Sequence, residues 1–315
     1  MERFFACALG LLLMFVAGSM TCSAATFYVT VAGLGGEPDY EQRFAQWASE
    51  LDSILKSEGP DAKISTLKGP DATRANVRST IEKIAREAKP DDVLVLMLIG
   101  HGSYDGVEYK INLPGPDLSA AELGTLLNRV PAKRQLVVNM TSASGGSIET
   151  LRKENRVLIT ATKSGSEKNA TVFARYWVEA LRDAAADADK NETISALEAF
   201  QYAQHKVTEF YDSQKRLATE HPLLEDTGKG AGVRTPSSEN SEGLRAGAFP
   251  VVRLAAAKAV ANDPHKRELV TKKDQLEQKI DELKYRKAAL APEDYKKQLT
   301  ALLVELAKTQ EELDK

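Results

Sequence analysis

Short apolar runs alternate with longer amphipathic segments between residue 26 and about residue 217. The runs are rich in β-branched residues, as strands are, whereas the longer segments repeat their apolar residues every three or four positions, as helices do. The strands are apolar on both faces, so both faces must be covered. The pattern therefore predicts a three-layer α/β domain with a mostly parallel sheet. The predicted strands are 26–31, 62–67, 93–99, 136–138 and 157–159, and the predicted helices are 40–56, 71–88, 118–127, 171–184 and 195–217.

The last part of the chain has a different pattern. Leu and Ile recur at spacings of three, four and seven along two segments, one starting at Asp263-Pro264 and one at Pro292. Two such seams separated by a proline predict an antiparallel helical hairpin within residues 251–315, typical of short coiled coils. The seams can pack within their own chain or support self-association with a second copy. Residues 222–250 are rich in Gly, Ser, Glu and Thr without an apolar period, so we expect a flexible loop there.

The first 25 residues have the pattern of a signal peptide. Met1-Glu2-Arg3 precedes the apolar run 4–16, and small residues end at Ser23-Ala24-Ala25. The run is short for a membrane span and no later segment reaches 18 apolar residues, so we expect an exported protein, periplasmic or secreted, with no membrane span after cleavage. Both cysteines, Cys7 and Cys22, lie in this segment. The mature chain would therefore contain no thiol.

Charge narrows the classes of partner. The chain has 42 Lys and Arg against 45 Asp and Glu, a formal net charge of −3. This balance argues against a nucleic-acid partner, because such binding depends on net basicity. Charged residues are interspersed with apolar ones, which excludes a largely disordered chain. The composition therefore favours an enzyme, a protein-binding module or a structural protein.

Small and polar residues follow three of the predicted strands. His101 lies between Gly100 and Gly102 after the third strand, and Ser142 begins a small-residue turn after the fourth. Active-site and ligand-binding residues of parallel sheets usually lie just beyond the carboxyl ends of adjacent strands. A histidine beside a serine- and glycine-rich turn is suited to base-assisted nucleophilic attack, because glycines let main-chain N–H groups approach an oxyanion. The alternative is a histidine that only terminates a strand and hydrogen-bonds a loop.

These residues resemble the caspase-like cysteine peptidases, and especially their legumain branch. His101-Gly102-Ser103 follows a buried strand as in that family, and Ser144-Gly145 matches the family's nucleophile turn. Aligned on that turn, Ser142 stands at the position of the catalytic Cys. The stretch Ile159–Gly165 resembles the strand whose end helps form the specificity pocket. The resemblance implies a caspase-like domain over 26–221, with His101 and Ser142 as catalytic positions and the Gly102 backbone at the oxyanion.

The absent thiol changes the functional expectation. A thiolate is intrinsically nucleophilic, whereas a serine hydroxyl needs a base that a carboxylate usually orients. The residues do not identify that carboxylate, although Asp105 lies near His101 in sequence. We therefore expect a catalytically impaired peptidase homologue that binds a peptide or protein segment in the strand-end cleft. The alternatives are a hydrolase that uses Ser142 with His101, and a structural or assembly protein that acts through the C-terminal hairpin.

Residues 187–198 have the spacing of a calcium loop. Counting Asp187 as one, oxygen-bearing side chains occupy positions one, three, five, seven, nine and twelve, which resembles an EF-hand loop. The predicted ligands are Asp187, Asp189, Asn191, Thr193 and Glu198. Position six is Glu192 instead of the usual glycine, and Ser195 with Glu198 also forms a capping-box pattern. We expect weak Ca²⁺ binding, with a metal-free helix cap as the alternative.

Overall fold

Six strands form the central sheet, and only one of them, at an edge, runs antiparallel to its neighbour. The computed structural model describes residues 24–254, 258, 263 and 266–315. Residues 1–23, nearly all of the predicted signal peptide, and Pro264, at the predicted hairpin start, lie outside the described residues. The described strands are Thr26–Ala32 (β1), Ala62–Leu67 (β2), Val93–Ile99 (β3), Gly102–Tyr104 (β4), Tyr109–Ile111 (β5), Leu118–Ser119 (β6), Arg134–Asn139 (β7), Arg156–Thr160 (β8), Thr193–Ser195 (β9), Leu223–Glu225 (β10) and Pro250–Arg253 (β11). The described helices of four residues or more are Pro38–Lys56 (α1), Arg74–Glu87 (α2), Ala120–Arg129 (α3), Ile148–Leu151 (α4), Phe173–Ala180 (α5), Ala196–Ser213 (α6), Leu244–Gly247 (α7), Arg267–Tyr285 (α8) and Pro292–Leu313 (α9).

Strand β3 shows why the apolar runs are continuous. Its residues 94–99 are fully buried, and they alternate between the two faces of the sheet. Val95, Met97 and Ile99 join the core beneath α1, α5 and α6. Leu94, Leu96 and Leu98 join the core beneath α2 and α3 on the other face. The predicted three-layer α/β architecture is therefore confirmed.

The strands of the central sheet lie in the order β10-β8-β7-β3-β1-β2, which places the ends of β3 and β7 side by side. Strand β3 pairs with β7 in parallel, with Leu98 opposite Asn139. The segments that begin at His101 and Ser142 therefore leave the same edge of the sheet from neighbouring strands, as the sequence predicted. A small three-stranded sheet, β4-β5-β6, follows directly after His101. Its strands are only two or three residues long, so no hydrophobic period marked them.

The segment 222–250, where the sequence predicts a flexible loop, contains regular elements in the structure. Strand β10 pairs with β8, α7 follows, and β11 pairs with β9. Leu224 is fully buried in the core. Glu225 and Asp226 are also buried, but as hydrogen-bond acceptors for the main chain around them. Polar composition indicated solvent exposure here, whereas these carboxylates satisfy the N–H groups of an ordered loop.

Helices α8 and α9 pack together as the predicted hairpin. The seam residues Leu276, Ile280 and Leu283 of α8 are buried. The hairpin also contacts the domain, through an ion pair of 2.8 Å between Arg253 and Asp274 and a hydrogen bond from the Tyr285 hydroxyl to the Glu242 carbonyl. The seam thus packs within its own chain, while association with a second copy stays a prediction. Among the described helices, none is both long and apolar enough to cross a membrane.

Candidate functional site

His101 lies at the carboxyl end of β3, against helix α1. Gly100 before it has a φ of 146°, a conformation that favours glycine and turns the chain out of the sheet. The imidazole meets the Tyr40 ring edge-on at 4.9 Å and the Phe44 ring at 5.2 Å. Burial lowers the pKa of His101, and the nearby Glu37 carboxylate opposes that effect. A neutral imidazole at pH 7 has one nitrogen free to accept a proton.

Ser142 is placed beside Gly102, which directly follows His101. Its Oγ accepts a hydrogen bond from the Gly102 N–H at 3.1 Å and donates to the Gly102 carbonyl at 3.3 Å. The residue is only 1 % exposed. Among the described residues, the hydroxyl is thus bonded to the main chain of β4 and not to the His101 ring. A Cβ added at Gly102 would lie 2.5 Å from the Ser142 carbonyl oxygen, so this close approach requires glycine.

The turn after Ser142 is fixed from the neighbouring β8 loop. Ala143 adopts a φ of 55°, which costs an L-residue roughly 1–2 kcal/mol. Its N–H donates to the Glu167 carbonyl at 2.7 Å. The Gly145 N–H donates to Thr162 Oγ1 at 2.9 Å, and the Thr162 N–H donates to Ser144 Oγ at 3.1 Å. Reciprocal bonds across the two loops therefore hold the turn in a strained conformation.

Tyr104 of β4 closes the space between these loops. A Cβ built on Gly165 would lie 2.2 Å from its ring, and one on Gly146 would lie 2.8 Å from it. The two glycines therefore provide the room that the tyrosine ring occupies. Tyr104 hydrogen-bonds the Gly106 carbonyl at 3.0 Å, at the tip of its own hairpin. No hydrophobic period indicated this contact, because it joins three segments that are distant in sequence.

Asp105 does not orient His101. Its Oδ1 accepts hydrogen bonds from the Val107 N–H at 2.9 Å and the Glu108 N–H at 2.8 Å, which close the β4–β5 turn. Those two bonds hold the pKa of Asp105 below its usual range. The charge of Glu41 acts on His101, but its Oε1 accepts from the Gly35 N–H at 2.7 Å. The carboxylates of Asp105 and Glu41 are thus engaged with the main chain.

A Glu–His pair lies beside the turn, and sequence reasoning missed it. Glu167 Oε1 is 2.5 Å from Nδ1 of His221, and its Oε2 accepts from the Lys163 N–H at 2.9 Å. Through its carbonyl, Glu167 also holds Ala143. One residue therefore connects the β8 loop, the turn after Ser142 and the segment before β10. His221 lies 54 positions away along the chain, so no local spacing signals the pair.

Comparison with protein families identifies the domain. Residues 29–221 match the model of the Peptidase C13 family. The chain belongs to the Peptidase C13 family. The predicted membership of the caspase-like superfamily is thereby confirmed, while the assignment of Ser142 to the catalytic Cys position stays a prediction.

Two solved structures are similar to this C13 member at low identity. A Geobacter sulfurreducens protein is 14% identical, with a TM-score of 0.42, over 64% of this chain and 92% of its own. Caspase-1 from Spodoptera frugiperda is 12% identical, with a TM-score of 0.45, over 65% of this chain and 87% of its own. No curated protein matches the chain.

The predicted calcium loop of this C13 member brings three of its five ligands together. Ligand oxygens of Asp187, Asp189 and Glu198 lie within 4.8 Å of one another. Glu192 at position six has a φ of 68°, the left-handed conformation that glycine usually supplies there. Burial raises the pKa of Asp189 to about 6, and the charges of Glu198 and Asp187 add to that effect. Carboxylates crowded in this way fit the oxygen donors that Ca²⁺ prefers.

The other two predicted ligands and the cap make hydrogen bonds within the loop. Asn191 Oδ1 accepts from the Thr193 N–H at 2.8 Å. Glu198 completes the capping box, since its Oε2 accepts from the Ser195 N–H at 2.9 Å while the Glu198 N–H donates to Ser195 Oγ at 3.2 Å. Its Oε1 also accepts from the Ala188 N–H at 2.9 Å. The helix cap is therefore formed, and metal binding stays a prediction.

Proposed function

We propose that this C13 member is a catalytically impaired peptidase homologue that binds an extended peptide or protein segment at the ends of β3, β7 and β8. The observation that carries the proposal is the double hydrogen bond between the Ser142 hydroxyl and the Gly102 main chain. The family resemblance assigns that same Gly102 N–H to the oxyanion. In this geometry the Ser142 hydroxyl accepts the hydrogen bond from the Gly102 N–H, so that N–H is not available to stabilise the oxyanion of a tetrahedral intermediate.

Two further features support impaired hydrolysis. The hydroxyl is almost fully buried, so a scissile carbonyl has no direct approach to it. Activation also requires the hydroxyl to leave Gly102 and reach an imidazole that packs against Tyr40 and Phe44. Loss of an activated nucleophile typically costs several orders of magnitude in rate. Main-chain groups at strand ends can still hold an extended peptide without chemistry.

A serine-reactive phosphonate probe tests the proposal. We expect no stoichiometric labelling of the wild type, and no difference between the wild type and the neighbouring variant Ser103→Ala. Labelling at Ser142 that disappears in His101→Ala would show an activated hydroxyl and overturn the proposal. Hydrolysis of a peptide library that is lost in both His101→Ala and Ser142→Ala would establish the serine-using hydrolase instead.

Peptide binding is measured separately from chemistry. We expect fluorescence anisotropy to identify members of an extended-peptide library that bind the wild type, and we expect Ser142→Ala to bind them equally well. The physical reason is that the proposed contacts belong to the main chain and not to the hydroxyl. A library without binders would reject the peptide-binding role, even if the phosphonate result held.

We also propose weak Ca²⁺ binding by the 187–198 loop. Three carboxylates within 4.8 Å repel one another, and a divalent cation would offset that repulsion. Asp187, Asp189 and Glu198 would supply carboxylate oxygens, with Asn191 and Thr193 as the remaining predicted ligands.

Isothermal titration should show one weak Ca²⁺ site that Asp189→Asn removes and that the exposed control Glu192→Gln keeps. Glu198→Gln should also remove the site, although it alters the cap as well. Absence of heat at millimolar Ca²⁺ would leave the helix cap alone.

Export and self-association are the remaining proposals. N-terminal sequencing of the protein from its native host should start at Ala25 or Thr26, and an intact Met1 would reject cleavage.

Exposed Leu303 and Val304 on α9 favour contact with a second copy. Sedimentation that depends on concentration, and that loses this dependence when 264–315 are deleted, would support assembly through the hairpin. A monomer at every concentration would reject it.

A further inference from the structure

Helix α9 has one face in the hairpin seam and an opposite face that is exposed. On the exposed face, Val304 lies near the middle of the 22-residue helix and is 49 % exposed. Ala301 and Ala307, one turn before and after it, are exposed as well. This face therefore has a small apolar centre that the described residues leave open to solvent. The seam side chains, in contrast, are buried or half-buried; they are Tyr295, Leu299, Leu302, Leu306, Thr309 and Leu313.

Charges of opposite sign lie at equal distances on the two sides of Val304. Lys297 lies seven residues before Val304 and Glu311 lies seven residues after it. Glu293 lies eleven residues before Val304, and Lys315, just past the end of the helix, lies eleven residues after it. Seven residues are close to two helical turns and eleven are close to three, so the charges within the helix share the face of Val304. Lys315 Nζ is 3.6 Å from Glu311 Oε1 at the surface, where such a pair is weak and leaves both groups accessible.

This arrangement complements itself when two copies of α9 lie side by side in opposite directions. A two-fold axis at Val304 places each residue opposite the one that lies equally far beyond Val304 in the second copy. Lys297 then faces Glu311 of the second copy, Glu293 faces Lys315, and each contact occurs twice. A parallel pair in register would instead place Lys297 against Lys297 and Glu311 against Glu311. Like charges in contact oppose association, so the charges favour the antiparallel pair.

The side chains closest to this axis are small. Ala301 lies opposite Ala307, and Thr300 lies opposite Lys308, because each pair is equally spaced about Val304. All four residues are exposed. Small side chains let two helices approach closely but bury little apolar surface. The association should therefore be weak, dependent on concentration and weakened by salt.

We propose that two copies of this chain associate through α9 in antiparallel orientation, about a two-fold axis at Val304. The proposal rests on the self-association proposed above and adds the surface, the orientation and the register. Lys297 and Glu311 set the register, because they are the complementary pair within the helix that lies closest to the axis. The contact uses no residue of the candidate functional site.

Charge reversal tests the register. Lys297→Glu and Glu311→Lys should each raise the dissociation constant of the dimer about tenfold in sedimentation equilibrium, because each change replaces two attractions by two repulsions. An equimolar mixture of the two variants should associate as the wild type does, since both contacts are then restored between unlike copies. The control Lys279→Glu, at an exposed position on α8, changes the net charge as Lys297→Glu does and should leave the dissociation constant unchanged.

Cysteine cross-linking tests the orientation, on the full-length chain that also carries Cys7→Ser and Cys22→Ser. Val304→Cys should form an intermolecular disulfide, because the two copies of this residue meet at the axis. Thr300→Cys, on the same face, should not. The two copies of residue 300 lie about 12 Å apart along an antiparallel pair, beyond the Cα separation of about 7 Å that a disulfide tolerates.

The outcomes distinguish this geometry from self-association in general. Association that both charge reversals weaken and their mixture restores, with a disulfide at position 304 only, would support the proposal. Disulfides at positions 300 and 304 alike would show a parallel pair and overturn it. Association that neither charge reversal weakens would place the contact on another surface, which overturns the proposal but leaves self-association standing. A monomer at every concentration would overturn both.

Discussion

Glu220 should make the stability of the domain depend on pH in the neutral range. Its carboxylate accepts from the Val172 N–H at 2.8 Å and the Phe173 N–H at 3.2 Å, at the start of α5, and from the Tyr211 hydroxyl at 3.1 Å. The residue is 2 % exposed, and burial raises its pKa to about 7. The three donors favour the charged form but do not offset its desolvation.

The magnitude follows from the gap between the two pKa values. The ordinary value is 4.5 and the folded value is about 7, which corresponds to a free energy of about 3 kcal/mol. Between these values the folded state binds more protons than the unfolded state. The contribution of Glu220 to the free energy of unfolding is therefore present below pH 4.5 and is lost as the pH rises through about 7. Between pH 5 and pH 8.5 the loss is about 2.5 kcal/mol.

The variant Glu220→Gln isolates this effect because glutamine does not titrate. At pH 5 we expect a loss of about 1 kcal/mol, since the amide can accept only one of the two helix N–H groups. At pH 8.5 the variant should be more stable than the wild type, because only the wild type has lost the proton-linked contribution. Urea unfolding followed by tryptophan fluorescence measures the free energy of unfolding at both pH values; Trp177 is fully buried and reports on the core. Glu209→Gln, exposed on α6, is the control. A difference between Glu220→Gln and the wild type that is the same at pH 5 and pH 8.5 would refute the reasoning.

Three further substitutions test packing, two at the candidate site and one at the start of β8. Gly165→Ala should lower the free energy of unfolding by about 1–3 kcal/mol, because its Cβ would lie 2.2 Å from the Tyr104 ring. The control Gly247→Ala should not, since its Cβ would meet only ordinary contacts. Equal melting temperatures for the two variants would contradict the close contact with Tyr104. Ser142→Cys should react slowly with iodoacetamide in the folded state and quickly in urea, because the residue at this position is only 1 % exposed. Fast labelling of the folded protein would show that solvent reaches position 142. Arg156→Met should cost about 3 kcal/mol in urea unfolding, because the buried guanidinium donates to Gln135 Oε1 and to the Leu151 carbonyl, and both would lose that donor. A loss below about 1 kcal/mol would show that these oxygens find other donors.

The fold was predictable because its strands are buried on both faces. Six consecutive apolar residues in β3 have few alternatives to a covered parallel strand, and the heptad spacing of α8 and α9 has few alternatives to a packed hairpin. The relative placement of His101 and Ser142 followed from the rule that parallel strands deliver their carboxyl ends to one edge. These inferences use local periodicity and one topological rule.

The remaining features depend on contacts between distant segments. The Glu167–His221 pair joins residues 54 positions apart, and the Tyr104 ring fits against glycines of two other loops. Composition did not indicate the regular elements in 222–250, because acidic residues are typical of exposed loops. Here Glu225, Asp226 and Glu242 are buried and accept hydrogen bonds from main-chain N–H groups. A single sequence records which groups need partners, but not which distant segment supplies them.

The small size of the serine hydroxyl explains how Ser142 and Gly102 come so close. An oxygen can accept from the Gly102 N–H at 3.1 Å and donate to the Gly102 carbonyl at 3.3 Å, whereas a sulfur is larger and forms weak hydrogen bonds. A sulfur at position 142 would therefore not reproduce these two bonds between β4 and the turn. Since the left-handed Ala143 and the glycines around Tyr104 are main-chain features, they do not depend on which atom stands at that position. The shape of the site thus does not depend on which atom stands at position 142, and a fixed shape is what the proposed peptide binding requires.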